Sequence, residues 1–279
     1  MSEETTILDR YGVMGHPVAH SRSPIIHKLF ALQTGQHLRY ELLDVKPAAL
    51  EQAVRLFQRT GGRGLNITTP HKQSICMLCD HLSERASASG AANTLIFKDG
   101  EITGDNTDGI GLLRDLVINL EMSIEGINVL ILGAGGATRG ILGPLLEMSP
   151  RKVMIANRTP DKAETLKAKF DSMGNVKASS FDDIVENHAY DLIINATSAG
   201  VRGEAPPYPI GALGNKTTCY DLSYGLKPTP FTVWARDHGA ARAVMGWGML
   251  VEQAAESFRL WRGVRPETAD VLKQIQVSA

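Results

Sequence analysis

Residues 129–137 read Val-Leu-Ile-Leu-Gly-Ala-Gly-Gly-Ala, and 155–159 follow as Ile-Ala-Asn-Arg-Thr. The first stretch is an apolar run that stops at Gly133-Ala134-Gly135-Gly136 and resumes as Ala137-Thr138-Arg139-Gly140-Ile141-Leu142. That order reads as a buried parallel strand, a tight turn and the start of a helix. Gly133 allows the turn, Gly135 lets backbone approach a pyrophosphate, and the helix dipole favours negative charge there. Where the dinucleotide fingerprint has a third Gly or Ala, this chain has Thr138, which is large for the closest helix–strand packing. An ordinary turn in a buried sheet would look the same from these glycines alone. The second stretch decides more. Lys152 to Ala156 is another apolar strand, and at its end an NAD site carries an acid for the ribose 2′-hydroxyl. Here stand Asn157, Arg158 and Thr159. An acid would repel a 2′-phosphate, whereas a guanidinium pairs with it and Thr159 adds a hydroxyl, so the expected cofactor is NADP(H).

The chain of 279 residues has room for two ordinary domains, and the glycine loop lies near its middle. Roughly 125 residues precede the loop, enough for a separate folded unit. Hydrophobic content of 43% with 27 Gly and 13 Pro fits a compact α/β protein rich in turns. A net charge of -1 argues against the electrostatic capture of nucleic acid, which needs a basic footprint, and leaves room for locally basic pockets for small anions. No basic start followed by an apolar core marks a signal peptide, and no apolar run approaches the ~18 residues of a membrane span, so a cytoplasmic protein is expected. Three cysteines form no disulfide framework. Cys76 and Cys79 have metal spacing, yet no second pair completes a site, so no metal is expected and the two read as small buried helix residues.

Before the loop, strand and helix signals alternate. Tyr11 to Met14 reads as a strand, Ser23-Pro24 as a cap and first turn of a helix reaching Thr34, and Leu38 to Val45 as a strand. A helix from Pro47 to Gln58 carries Leu50, Val54 and Phe57 on one face. Gly64 to Thr68 is a third strand, a helical stretch runs from Pro70 to about Leu82, and Asn93–Lys98 with Glu101–Thr103 forms a hairpin around Asp99-Gly100. Thr107 to Asn119 reads as a helix leading into the second domain. Strands are then expected at 128–132, 152–156, 176–179, 191–195 and 217–221, the pattern of a doubly wound parallel sheet, followed by helices at 249–261 and 266–276. The fold class is therefore α/β in two domains. Residues 1–110 with 247–279 are expected to form the substrate-binding catalytic domain and 111–246 a Rossmann-like cofactor domain.

Four polar clusters fall in loops. In His20-Ser21-Arg22-Ser23-Pro24, Ser23 alone would serve as a helix cap, which leaves Ser21 unexplained. In Asn66-Ile67-Thr68-Thr69-Pro70-His71-Lys72, Asn66 and Thr68 share a strand face, and Lys72 is either a surface lysine or a general acid/base. Gly90-Ala91-Ala92-Asn93-Thr94 and Gly104-Asp105-Asn106-Thr107-Asp108-Gly109 are the others. The latter lacks the ligands of a calcium loop, and Asp108 reads as a helix N-terminal acid or as the partner of a cation. Spacing does not show that Lys72 and Asp108 meet. His16, His20 and His71 read as loop filling.

These motifs occur in the order found in shikimate dehydrogenases, together with Asn195-Ala196-Thr197-Ser198 and Gly246-x-Gly248-Met249-Leu250, and the chain resembles that family over essentially its whole length. The resemblance implies that Ser21, Ser23, Asn66, Thr68, Asn93, Asp108 and Gln253 hold the carboxylate and hydroxyls of shikimate, with Tyr224 near them. It implies Lys72 and Asp108 as the catalytic pair. It implies an NADP(H) site of Gly133, Ala134, Gly135, Gly136, Ala137, Asn157, Arg158, Thr159, Thr197, Leu222 and Gly246. The implied reaction is reversible reduction of 3-dehydroshikimate by NADPH, in a cytoplasmic monomer or homodimer with no nucleic-acid or membrane partner. Thr69, Trp247 and Ser223 depart from the usual family residues. A quinate/shikimate dehydrogenase using NAD and a non-catalytic NADP sensor of the same fold are the competing expectations; Arg158 argues against the first, Lys72 and Asp108 against the second.

Overall fold

A computed structural model describes residues 8–184, 190–197 and 208–277. Ser198, at the end of the Asn195 motif, lies outside them. In chain order the first elements are β1 (Asp9–Gly15), α1 (Ser23–Thr34), β2 (Leu38–Asp44), α2 (Leu50–Arg59), β3 (Gly62–Ile67), β4 (His81–Leu82), α3 (Glu84–Ser89), β5 (Thr94–Lys98) and β6 (Glu101–Asp105). Then come α4 (Asp108–Arg114), β7 (Asn128–Leu132), α5 (Gly136–Glu147), β8 (Lys152–Ala156), α6 (Pro160–Phe170), β9 (Val176–Ser179), β10 (Leu192–Asn195), β11 (Thr218–Asp221), α7 (Pro230–Asp237), β12 (Arg242–Met245), α8 (Trp247–Arg262) and α9 (Ala269–Val277). The chain separates into two compact units, one running to Thr107 and resuming at Gln253, the other spanning Asp108–Glu252.

The first unit holds a mixed sheet in the order β2-β1-β3-β5-β6-β4. β1 pairs in parallel with β2 and β3, and β5 pairs antiparallel with β3 and β6. Asp99 and Gly100 both take positive φ in the β5–β6 turn, the two-residue geometry whose twist suits a hairpin. Leu50, Val54 and Phe57 of α2 are buried with Met14, Leu65, Ile67 and Leu95 of the strands, as their spacing requires.

The second unit is a parallel sheet in the order β12-β11-β10-β7-β8-β9, with the strand order reversing between β7 and β10. Its strands alternate between two cores. Val129, Ile131, Val153, Ile155, Leu192 and Ile194 pack on one face with α5 residues Ile141, Leu142 and Leu145. Leu130, Leu132, Ile193 and Cys219 pack on the other with Phe231 and Ala235 of α7. A sheet buried on both faces accounts for the unbroken apolar runs in its strands.

Several local expectations are corrected. The stretch after Pro70 is not an α-helix: a short 3-10 turn spans Ser74–Leu78, and His81–Leu82 pair with β6 instead. Cys76 and Cys79 are therefore half-buried at that turn rather than on a helix, and burial pushes the Cys79 thiol up to about 12. Ser23 does not cap α1; it is the first helical residue, and Ser21 Oγ accepts its N–H at 3.3 Å. The helix expected over 107–119 runs as α4 and then widens into a π-turn at Asp115–Asn119. α3 and β12 carry no expectation above.

Candidate functional site

In the first unit, polar side chains from four elements converge at the ends of β3 and β5. Asn66, the second-last residue of β3, donates through Nδ2 to Ser257 Oγ of α8 at 2.9 Å, and to Thr94 Oγ1 and the Asn93 carbonyl at 3.2 Å. Its Oδ1 accepts the Tyr40 hydroxyl at 2.7 Å. Asn93 Oδ1 accepts the Thr107 N–H at 2.8 Å, while its Nδ2 donates to Thr107 Oγ1 at 2.9 Å and Gln253 Oε1 at 3.3 Å. Asn66, Asn93, Thr94, Thr107 and Ser257 are all buried. Buried polar groups are tolerated when bonded to one another, and a lattice of this kind fixes the direction of every amide in it. Two asparagines, a glutamine and several hydroxyls gathered in one cluster are residue types suited to a small ligand rich in hydroxyls.

The loop after β3 is tied to the same place. Thr68 N–H bonds the Met14 carbonyl at 2.9 Å, and Ala92 N–H bonds the Lys72 carbonyl at 2.8 Å, so Lys72 is held beside the residue preceding Asn93. Asp108 directly follows Thr107, opens α4 and is buried. Ser21 and Ser23 stand at the start of α1, joined by their hydroxyls at 3.2 Å. His71 is buried with Nε2 against the Val45 carbonyl at 2.7 Å, His16 pairs with Asp44 at 2.5 Å, and His20 is exposed; each has a loop-level environment only.

Outside the lattice a second polar group steadies the unit. Glu256 of α8 takes guanidinium bonds from Arg259 and Arg265, each at 2.7 Å, and Arg85 reaches it at 3.5 Å while clasping Asp105 with two bonds. Burial by itself would raise the Glu256 pKa, but the Arg259 bond and the surrounding guanidinium charge outweigh it and hold the carboxyl below its ordinary value.

In the second unit the loop residues sit at the carboxyl ends of the parallel strands, where the order reverses. Gly133 has φ of 106°, and its N–H bonds the Ala156 carbonyl at 2.7 Å. A Cβ there would stand 3.1 Å from the Ala196 carbonyl, so the turn after β7 presses on the turn after β10. At Gly135 a Cβ would meet nothing within 4 Å. Gly135 is the residue before α5, and no side-chain cap bond is made at that helix start. Thr138 is fully buried and donates to the Gly133 carbonyl at 2.7 Å; the residue that looked oversized braces the turn. Asn157 Oδ1 accepts the Ala134 N–H at 3.2 Å and its Nδ2 donates to the Thr159 carbonyl at 2.8 Å, while Arg158 and Thr159 are exposed. Thr197 donates to Asn195 Oδ1 at 2.7 Å, Leu222 N–H bonds the Asn195 carbonyl, and Gly246 N–H bonds the Ser223 carbonyl. Tyr224 packs on Trp247 with ring centroids 4.7 Å apart.

The start of α8 is filled differently. Asp115 is buried and accepts the Tyr220 hydroxyl at 2.5 Å and Asn119 Nδ2 at 2.9 Å, and the Met249 N–H donates to the same hydroxyl at 3.2 Å. A Cβ on Gly248 would lie 1.9 Å from Asp115 Oδ1, which explains the second glycine of Gly246-x-Gly248.

Tyr40, Thr94, Thr107 and Ser257 are lattice members that motif reading passed over. Thr94 and Thr107 sit inside quoted clusters, and Ser257 follows Gln253 by one helical turn, so those signals were present. Among the described residues no group of His, Cys, Asp and Glu is placed to hold a metal, and no helix is long and apolar enough to cross a membrane.

Comparison with known proteins matches residues 13–95 to the shikimate dehydrogenase substrate binding domain, 116–201 to shikimate / quinate 5-dehydrogenase and 246–276 to the shikimate 5'-dehydrogenase C-terminal domain. The chain is 52% identical over 268 residues to shikimate dehydrogenase (NADP(+)) of Alkalilimnicola ehrlichii, covering 96% of this chain and 98% of that one. It superimposes with a TM-score of 0.86 and 31% identity on shikimate 5-dehydrogenase of Thermus thermophilus in complex with NADP(H) and shikimate, covering 98% and 100%. A 5-ketofructose reductase of Gluconobacter matches with a TM-score of 0.82 and 29% identity, covering 97% and 99%.

Proposed function

The chain belongs to the shikimate dehydrogenase family, and we propose from that membership that it reversibly reduces 3-dehydroshikimate to shikimate with NADPH, as an oxidoreductase of aromatic biosynthesis. The observation that carries the reading for this chain is the buried amide and hydroxyl lattice of Asn66, Asn93, Thr107 and Gln253.

The second unit's residues fit NADP(H). The uncapped first turn of α5 and the open space at Gly135 suit a pyrophosphate, and no acid stands at the end of β8 to repel a 2′-phosphate. We assign the pyrophosphate to Gly133, Ala134, Gly135, Gly136 and Ala137, the 2′-phosphate to Asn157, Arg158 and Thr159, and the rest of the cofactor to Thr197, Leu222 and Gly246. Bound there, the nicotinamide supplies or accepts the hydride.

Ser21, Ser23, Asn66, Thr68, Asn93, Tyr224 and Gln253 are assigned to the carboxylate and hydroxyls of the substrate. Lys72 gives a proton to the oxygen as the carbonyl becomes an alkoxide, and takes it back in the reverse direction. Asp108 orients the ammonium and accepts from the same hydroxyl. On this reading residues 1–110 with 247–279 are the substrate-binding domain and 111–246 the NADP-binding domain, and the enzyme works in the cytoplasm as a monomer or homodimer.

Turnover of shikimate and quinate, each with NADP+ and NAD+, tests the proposal. Shikimate with NADP+ is expected to lead the other three pairs by roughly tenfold or more in kcat/KM. No turnover with any pair overturns the proposal, and quinate with NAD+ in the lead reassigns the substrate and the role of Arg158.

A further inference from the structure

His27 lies one helical turn after Ser23 on α1 and is fully buried, with no hydrogen-bond partner of good geometry on either ring nitrogen. A neutral imidazole carries one donor and one acceptor, and burying either without a partner is destabilising. A phenylalanine would fill the same aromatic cage without that penalty. The cage is Tyr40, stacked on the imidazole at 4.3 Å and 9°, with Trp261 at 5.4 Å, Phe30 at 6.0 Å and Phe258 at 6.2 Å.

Two features give the ring a direction. Its stacking partner Tyr40 donates to Asn66 Oδ1, and the Asn66 side chain is the polar group close enough to favour a proton on His27. Amide oxygens accept two hydrogen bonds, so Asn66 Oδ1 can take the Tyr40 hydroxyl and an imidazole N–H together. With both in place the amide is turned so that its NH2 faces Ser257 and Thr94, as observed.

We infer that His27 is a positioning residue for the substrate pocket: stacked on Tyr40 beside Asn66, its ring N–H is directed at Asn66 Oδ1 and fixes the way that amide sits in the polar lattice. Burial pushes its pKa down to about 3, so the ring stays neutral and keeps one N–H to give throughout the working range. This rests on the assignment of Asn66 to substrate binding made above.

The test is steady-state kinetics on the full chain with shikimate and NADP+. His27→Phe keeps the ring and removes both nitrogens; it is expected to raise the shikimate KM about tenfold, the worth of one neutral hydrogen bond, with the NADP+ KM unchanged. His27→Asn, which retains a donor, recovers part of the loss. In an Asn66→Ala background His27→Phe adds little, because its effect passes through that amide; a purely structural role would add in full. A wild-type shikimate KM in His27→Phe, or full additivity in the double variant, overturns the inference. If His27→Phe does not fold, Tyr40→Phe removes the other hydrogen bond on the same oxygen and must give the same selective rise in shikimate KM. Failure of the wild-type chain to oxidise shikimate would instead fault the proposed function, so the two failures are distinguishable.

Discussion

Replacing Gly133 and Gly135 by alanine, one at a time, separates two jobs within three residues. Gly133 holds φ of 106°, a region that L-residues enter at about 1–3 kcal/mol. Its new Cβ would also stand 3.1 Å from the Ala196 carbonyl carbon and oxygen and 3.2 Å from Thr197 N, backbone that must give way at a further cost of about 1 kcal/mol or more. The combined loss of about 2–4 kcal/mol lowers Tm by roughly 5–15 °C for a domain of this size. Gly135 has φ of -91° and ψ of -166°, open to any residue, and nothing within 4 Å of an added Cβ. Gly135→Ala therefore leaves Tm unchanged or raises it slightly, since alanine restricts the unfolded chain by about 0.4–1 kcal/mol. Its methyl occupies the space assigned to pyrophosphate, and losing one charge-assisted backbone contact raises the NADPH KM about tenfold to a hundredfold. Thermal melts and NADPH titrations at saturating 3-dehydroshikimate read both effects. A wild-type NADPH KM in Gly135→Ala would refute the placement of the pyrophosphate, and a wild-type melt in Gly133→Ala would refute the strain argument.

Lys72→Met is expected to lower kcat by ~10^2 or more while leaving NADPH affinity near wild type, and an unchanged kcat would remove Lys72 from the chemistry. Arg158→Ala should raise the NADP+ KM about tenfold to a hundredfold and leave the NAD+ KM alone, the loss expected for a bidentate phosphate contact; equal shifts for the two cofactors would show that Arg158 does not read the 2′-phosphate. Glu256 is held below its ordinary pKa, so the stability it contributes is complete above the unfolded value of about 4.3 and disappears as pH falls through the lower folded value. Urea midpoints measured from pH 7 down to pH 3 should fall less steeply in Glu256→Gln than in wild type, and parallel curves would contradict the guanidinium cluster's role.

The second unit's architecture was legible because each parallel strand is buried on both faces and reads as an apolar run; β7, β8 and β9 lie at their expected residues. β12 escaped because it is an edge strand, Arg242-Ala243-Val244-Met245, only partly buried and short of apolar signal. α3, Glu84-Arg85-Ala86-Ser87-Ala88-Ser89, has no apolar periodicity, and its ends are set by Ser83 accepting the Ala86 N–H and by Gly90. The helix expected from Pro70 to about Leu82 does not form, because the chain leaves the 3-10 turn at Cys79 to pair His81 and Leu82 with β6. The candidate site was legible one motif at a time. What joins the motifs was not, since the Asn66–Ser257 bond spans 191 positions and local spacing carries no trace of such pairing. Thr138 shows the opposite error: a misfit to a motif was a hydrogen-bond donor to the loop itself.

The chain carries two glycine pairs at helix starts, and they have opposite meanings. At α5 the pair leaves the positive end of the helix unfilled, so a visiting anion can settle there. At α8 the end is already taken, because the Asp115 carboxyl is lodged there and Gly248 is small enough to admit it. A search for phosphate loops by glycine pattern would count both. Only the α5 end is open to the phosphate proposed above; the other is a socket sealed by the protein's own Asp115, which lets one chain hold two dipolar helix ends without presenting two competing sites to the same phosphate-bearing cofactor.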